Sequence, residues 1–161
     1  MTPAVQLLKR NNVPFELHTF SVDDSNEGYG LAAARALGVP PEQVFKTLLV
    51  SFNGDPTLLG VCILPVTHNL SLKRAAKAHG LKSALMADPT IAEKTTGYVV
   101  GGISPLGQKK SLPTVIDQSA EGLHTFYVSA GKRGLDLALA PADLQQLTRA
   151  RLAPLCVNEE P

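Results

Sequence analysis

Two apolar runs, Val44 to Phe52 and Thr57 to Leu64, are joined by Asn53-Gly54-Asp55-Pro56. Asn-Gly between apolar runs is a strong hairpin signal, because a tight antiparallel turn needs positive φ at both of its central residues. One residue is out of place in this frame. Lys46 lies inside Val44-Phe45-Lys46-Thr47-Leu48-Leu49-Val50, the most apolar strand of the chain. A central strand there puts Val44, Lys46 and Leu48 on one face. Burying an ammonium without partners is costly, so the side chain must snorkel, pair or line a cavity. A buried lysine also shifts its pKa readily and suits catalysis or phosphate binding.

Around the hairpin the chain is punctuated by short helices. Thr2 and Pro3 predict a helix start, with Thr2 as N-cap, Val5 and Leu8 on one face and Asn11-Asn12 at its end. Phe15 to Phe20 alternates like a half-buried strand. Ser21 to Gly30 is a polar, acidic loop ending in Gly28-Tyr29-Gly30, and Leu31 to Leu37 is an alanine-rich helix closed by Gly38 and Pro40. Pro41-Glu42-Gln43 is a short turn. Ser71 caps a helix that Gly80 stops, and Asp88-Pro89 starts another that Gly97 ends. Pro113 to Asp117, His124 to Ser129 and Leu135 to Leu139 read as strands, and Pro141 opens a closing helix to Arg149. Strands cluster in the middle with helices between them, which predicts a mixed sheet with short helices in preference to a doubly wound parallel one. No repeat, linker or low-complexity segment interrupts the 161 residues, so the expectation is one domain over 1–161.

Composition narrows the function. Apolar residues make up 44% and charged residues 18%, as in a compact globular domain. A net charge of +1 supplies no global field for nucleic acid, so any such partner is held locally or with help. Cys62 reads as a small core residue, while Cys156, near the C-terminus, reads as loosely held. Neither cysteine pairs at metal spacing, and His18, His68, His79 and His124 are scattered singly, so the sequence calls for no metal and no cofactor. No apolar run reaches membrane length, and a soluble cytoplasmic protein is the expectation.

The second informative stretch is Thr96-Gly97-Tyr98-Val99-Val100-Gly101-Gly102-Ile103-Ser104-Pro105-Leu106-Gly107-Gln108-Lys109-Lys110. Such a loop can aim several backbone N–H groups at one spot, as an anion or oxyanion site needs; a plain connection with glycine turns is the alternative. Ser104 lies in Gly102-Ile103-Ser104-Pro105, which is not a nucleophile elbow, and no histidine or acid stands in a recognisable relation to it. The third stretch is Val128-Ser129-Ala130-Gly131-Lys132-Arg133-Gly134-Leu135-Asp136. Its Asp136, a carboxylate among alternating leucines, belongs either to a solvated outer face or to a site.

These three stretches, in this order and spacing, resemble the YbaK proteins, the free-standing cysteinyl-tRNA(Pro) deacylases of bacteria, over nearly the whole chain. The resemblance implies an α+β fold with a mixed, largely antiparallel, barrel-like sheet and short surrounding helices. It implies hydrolysis of the ester between a mischarged amino acid and the 3′ end of tRNA(Pro), beside prolyl-tRNA synthetase, with no membrane and no cofactor. Carried over by position, Lys46 is the essential lysine beside the aminoacyl group. Thr47, Gly101, Gly102, Ser104, Ser129, Gly131 and Asp136 surround the substrate, and Phe20 and Tyr29 flank it. Tyr is usual in the family where Phe20 stands, and Phe where Tyr29 stands. The implied mechanism needs no protein nucleophile: the substrate's own cysteine thiol attacks the ester carbonyl. Lys109, Lys110, Lys132 and Arg133 are candidates for contact with the acceptor end, or an ordinary solvated surface. Alanyl- or seryl-tRNA(Pro) deacylation and a non-catalytic tRNA- or synthetase-binding module are the competing expectations.

Overall fold

The computed structural model describes residues 1–22 and 27–158. The hairpin is formed by β2 (Phe45–Phe52) and β3 (Asp55–Pro65), preceded in the chain by β1 (Glu16–Thr19). Asn53 and Gly54 have φ of 57° and 71°, so both central turn residues are left-handed, as a two-residue hairpin requires. β3 is buried on both faces. Val61 and Ile63 enter one apolar cluster, Cys62 and Leu64 another, which is why its sequence is a continuous apolar run.

The strands form two sheets. The larger runs β4 (Ala84–Met86), β2, β3, β5 (Thr114–Asp117), β8 (Arg151–Ala153), with β3–β5 and β5–β8 parallel and the other pairs antiparallel. The smaller runs β1, β7 (Leu135–Leu139), β6 (Phe126–Lys132), all antiparallel. A parallel bridge from Val44 to Tyr127 joins the sheets, and Phe45 meets Phe126 edge-on at 5.0 Å across the core between them. The mixed α+β architecture is the expected one; closure toward a barrel goes no further than this bridge. β4 and β8 were not foreseen. Each has only three residues and lies at a sheet edge, too short to show a period of two.

The helices are α1 (Pro3–Arg10), α2 (Tyr29–Leu37), α3 (Leu72–Ala78), α4 (Pro89–Thr96) and α5 (Pro141–Thr148). Thr2, Ser71 and Asp88 cap α1, α3 and α4 through their side-chain oxygens, as expected. The expected loop 21–30 includes residues 23–26, which lie outside the described residues, and its end differs from expectation. Tyr29 and Gly30 form the first turn of α2. Two tertiary contacts override the poor helix propensity of glycine there: Tyr29 accepts a hydrogen bond from the Gly134 N–H at 2.7 Å, and a Cβ on Gly30 would stand 2.5 Å from Val66. Cys62 is in the core, as expected. Cys156, contrary to expectation, is firmly held. Its backbone bridges to Leu70, its carbonyl accepts from Arg74 Nη1 at 3.0 Å, and its neighbour Leu155 donates to the buried Asp117 carboxylate at 2.8 Å.

The glycine loop is wound around Tyr98. The ring is 5% exposed, its hydroxyl donates to the Leu106 carbonyl at 2.7 Å, and burial pushes the phenol up to about 12. The loop's far end rests on α1, where Gly107, at φ +70°, meets the chain so closely that a Cβ would lie 2.6 Å from the Pro3 carbonyl carbon. Gly122 has a similar φ of +89° with open space around it. Gly122→Ala should therefore cost about 1–2 kcal/mol from the left-handed backbone alone, and Gly107→Ala about 3 kcal/mol or more, since backbone overlap is added. Urea unfolding of the two variants checks this; equal losses would show that the α1 contact yields.

Candidate active site

β4 pairs with β2 only from Val50 to Phe52, so the β2 edge away from β3 is open below Leu49, whose carbonyl accepts from Ala87 N–H at 3.0 Å. Val66 N–H bonds the Val44 carbonyl at 2.8 Å, which sets the alternation: the backbone groups of Lys46 and Leu48 face β3, and those of Thr47 face the open edge. Beside this edge lies a cavity of about 800 Å³, within the range of small-molecule sites. Its walls come from β2, the start of α2, the turn after β3, the start of α4, the glycine loop and the paired strands β6–β7.

Among the residues expected at a site, Lys46, Thr47, Tyr29, Gly101, Ser129 and Asp136 line this one cavity. Lys46 is half-buried on the face shared with Leu48 and Val50, and no described carboxylate lies within salt-bridge distance of it. Desolvation lowers its pKa, with a partial offset assigned to the Cys156 sulfur. Burial holds that thiol up at about 12, so it is neutral near pH 7 and desolvation dominates. Thr47 Oγ1 is buried without a hydrogen-bond partner. Gly101 has φ +97°, a conformation that favours glycine. Its neighbours' amides are spent, Gly102 N–H on the Val99 carbonyl and Val100 N–H on the Glu93 carboxylate, while no described acceptor takes the Gly101 N–H.

Ser129 and Asp136 are direct cross-strand partners of β6 and β7, on the face opposite the core leucines Leu137 and Leu139. Asp136 is 5% exposed, which excludes the solvated outer face. Ser129 Oγ accepts from Gly131 N–H at 3.1 Å.

Gly102, Ser104, Gly131 and Phe20 do not line the cavity. Ser104 is fully buried, and its Oγ accepts from Leu106 N–H at 3.2 Å. Gly131 passes so close to the Tyr98 ring that a Cβ would be 2.5 Å from it, and Gly102 packs on the Lys132–Arg133 backbone. These residues shape the loop from behind. Phe20 stacks on Tyr29, ring centroids 6.3 Å apart, at the outer rim. The phenol at position 29 is a latch, since its oxygen holds the Gly134 N–H.

Several wall residues carry no signal in the sequence, Val66, Asn69, Met86 and Ile103 among them. Thr67 is another, and its Oγ1 meets His68 Nδ1 at 2.9 Å on the exposed rim. Among the described residues no group of His, Cys, Asp and Glu could hold a metal ion, and no helix is long and apolar enough to cross a membrane.

Burial pushes the Asp136 carboxyl up to about 7 from an ordinary value of 3.8. Its proton is therefore held more tightly in the folded chain. The resulting stability is full below about pH 4 and is lost as pH rises through 7. Asp136→Asn should remove that decline and melt higher than the parent at pH 8. Thermal melts of both proteins from pH 4 to 8 test this, and superimposable profiles would refute it.

Residues 30–147 match the family model for the aminoacyl-tRNA editing domain. A protein of Enterococcus faecalis, provisionally named a Cys-tRNA(Pro)/Cys-tRNA(Cys) deacylase, EbsC, is 34% identical over 158 residues, covering 98% of this chain and 94% of that protein. The proline–tRNA ligase of Acidithiobacillus ferrooxidans is 33% identical over 135 residues, which is 78% of this chain but only 23% of the ligase. A crystal structure described as a provisional trans-editing enzyme for prolyl-tRNA synthetase superposes with a TM-score of 0.78 over 96% of this chain and 93% of that one, a likeness of fold at 21% identity. With a family model across most of its length and a relative matched nearly end to end, the chain belongs to the aminoacyl-tRNA editing domain family, hydrolases of the aminoacyl-tRNA ester.

Proposed function

We propose that the cavity deacylates cysteinyl-tRNA(Pro), and cysteinyl-tRNA(Cys) with it, in the cytoplasm beside prolyl-tRNA synthetase. The observation that carries this is Lys46, an unpaired cation on the wall of a largely apolar cavity, next to an open strand edge. A developing oxyanion there meets an ammonium and fixed backbone donors in a water-poor setting, where each is worth more than in water. No described acceptor takes the Gly101 N–H, which leaves it for the same purpose, and Asp136 lines the same cavity, where an α-ammonium beside it would draw its carboxyl back toward the charged form. The Enterococcus faecalis relative supports the cysteinyl substrate. Net charge of +1 supports a helper that holds most of the tRNA.

The protein's own nucleophiles are poorly served. Ser129 Oγ is engaged by a backbone amide, Thr47 Oγ1 has no base, and Cys62 is buried, its thiol pushed up to about 12. Attack by the substrate's thiol removes the need for one. The sulfur bonds to the ester carbonyl carbon as the bond to the ribose oxygen breaks, and that oxygen leaves with the thiol's proton. Water then opens the thiolactone to cysteine. An intramolecular attack of this kind draws its rate from placement, which can supply about 7–11 kcal/mol at best. Thr67, with His68 at hydrogen-bond distance, supports a second reading in which a protein hydroxyl attacks.

Purified protein incubated with labelled cysteinyl-tRNA(Pro) should release free tRNA. Lys46→Ala should lower that rate by about 10²–10³-fold, with the melting temperature nearly unchanged. S-methylcysteinyl-tRNA(Pro) should bind and resist cleavage, and Thr67→Val or Cys156→Ala should stay within an order of magnitude of the parent. An acyl-enzyme on Thr67, fast cleavage of the S-methylated ester, or faster turnover of alanyl- or seryl-tRNA(Pro) would overturn the cysteine-thiol reading. Binding without any turnover would make the chain a binding module.

A further inference from the structure

The Arg133–Gly134 turn between β6 and β7 carries Arg133 beside two residues of the cavity wall. Its guanidinium carbon lies 4.2 Å from the centroid of the Tyr29 ring, a cation–π distance. Its Nη1 is 3.9 Å from where a Cβ on Gly101 would stand. Tyr29 and Gly101 both line the cavity, so the guanidinium lies beside two of its wall residues at once. The platform beneath it is locked. Tyr29 Oη accepts from Gly134 N–H at 2.7 Å, Phe20 stacks on the outer side of the ring, and Phe20 N–H donates to the Gly134 carbonyl at 3.0 Å.

This arginine is exposed, yet no described carboxylate pairs with it. Of the two described carboxylates that line the cavity, Glu27 is taken by Arg35 at 2.6 Å and Asp136 is buried. Arg133 is thus a fork of N–H donors with its ring contact satisfied and, among the described residues, no anion paired with it. Planar, bidentate donors of this kind suit phosphate oxygens. An aminoacyl ester bound at Lys46 brings its terminal ribose to the cavity mouth, and the first anion beyond that ribose is the phosphodiester of the last nucleotide.

We propose that Arg133, held on the Tyr29 ring, grips the phosphodiester preceding the terminal nucleoside of the acceptor end and so sets how deeply the ester enters. This rests on the deacylase reading above and adds a phosphate subsite to it. The site then measures the distance from phosphate to ester, and Arg133 contributes to binding without touching the reacting atoms.

The test compares two substrates that differ by that phosphate: cysteinyl-tRNA(Pro) and 2′(3′)-O-cysteinyladenosine. Arg133→Ala should raise KM for the tRNA about tenfold or more with kcat little changed, and Arg133→Lys should recover part of the loss. For cysteinyladenosine, parent and variant should agree within about twofold. Binding of an uncharged acceptor-stem minihelix, followed by fluorescence anisotropy, reads the same contact without turnover. There the variant should weaken binding and lower the salt slope by about 0.7. Unchanged KM and minihelix binding would overturn the proposal. So would equal losses on both substrates, which would make Arg133 a prop for Tyr29. If the parent cleaves no cysteinyl ester yet minihelix binding still depends on Arg133, the phosphate subsite stands and the cysteine reading falls.

Discussion

The contact on which the rest depends is the burial of the Tyr98 ring beneath its own loop. A long glycine-rich segment has no regular hydrogen-bond ladder to hold it, and its ordering entropy must be offset by something else. Here one aromatic side chain serves. Its hydroxyl donates to Leu106 at the far side of the loop, and the Ser104 side chain and the Ala4 backbone lie close enough to act on it. Gly131 of β6 presses on its ring. The loop, the first helix and the smaller sheet therefore share one fixed point. Gly101, on the opposite side of the loop from these contacts, is held against the cavity by a structure that it does not itself supply.

The cavity exists because the large sheet is deliberately incomplete. β4 is too short to cover β2, and the smaller sheet meets this part of the chain through the bridge at Val44 and the contact of Phe45 with Phe126. Between these two contacts a buried strand keeps an unpaired edge. In most proteins such an edge is covered or charged to prevent association. Here Lys46 and the cavity stand at that place, and the backbone groups of Thr47 face the cavity side. The lysine is tolerated in the apolar run because the wall it lines leaves it only half-buried.

Much of this was legible in the sequence, and the reasons differ by residue. Asn53-Gly54 announced the hairpin because the turn geometry admits few other residues, and Thr2, Ser71 and Asp88 announced helix starts because orphan amides need acceptors. Lys46 was conspicuous as a charge inside an apolar run. Asp136 stood out as a carboxylate among alternating leucines and Ser129 came from the family likeness; only the register of β6 against β7 puts them side by side. Gly102, Ser104 and Gly131 carry equally clear motif signals, yet they pack on Tyr98 and the Arg133 turn. A motif marks a segment under constraint without saying whether the constraint is a ligand or a neighbouring ring. Val66, Asn69 and Met86 left no trace, because any residue that reaches a cavity from a distant strand does so through tertiary geometry alone.

The seat of Gly107 on Pro3 bears on where this unit can be cut from its surroundings. The match to the family model begins at residue 30, but α1 and β1 lie before it, and β8 and Asp117's partner Leu155 lie after residue 147. These flanking pieces supply the Ala4 backbone beside Tyr98, a backbone stop for the glycine loop and an edge for each sheet. A cassette trimmed to the shared pattern and spliced into another protein would keep Lys46, Gly101 and Asp136 and lose the braces that space them. The transplantable module is wider than its recognisable signature, and a host that carries such a module must provide its own buttress under the loop.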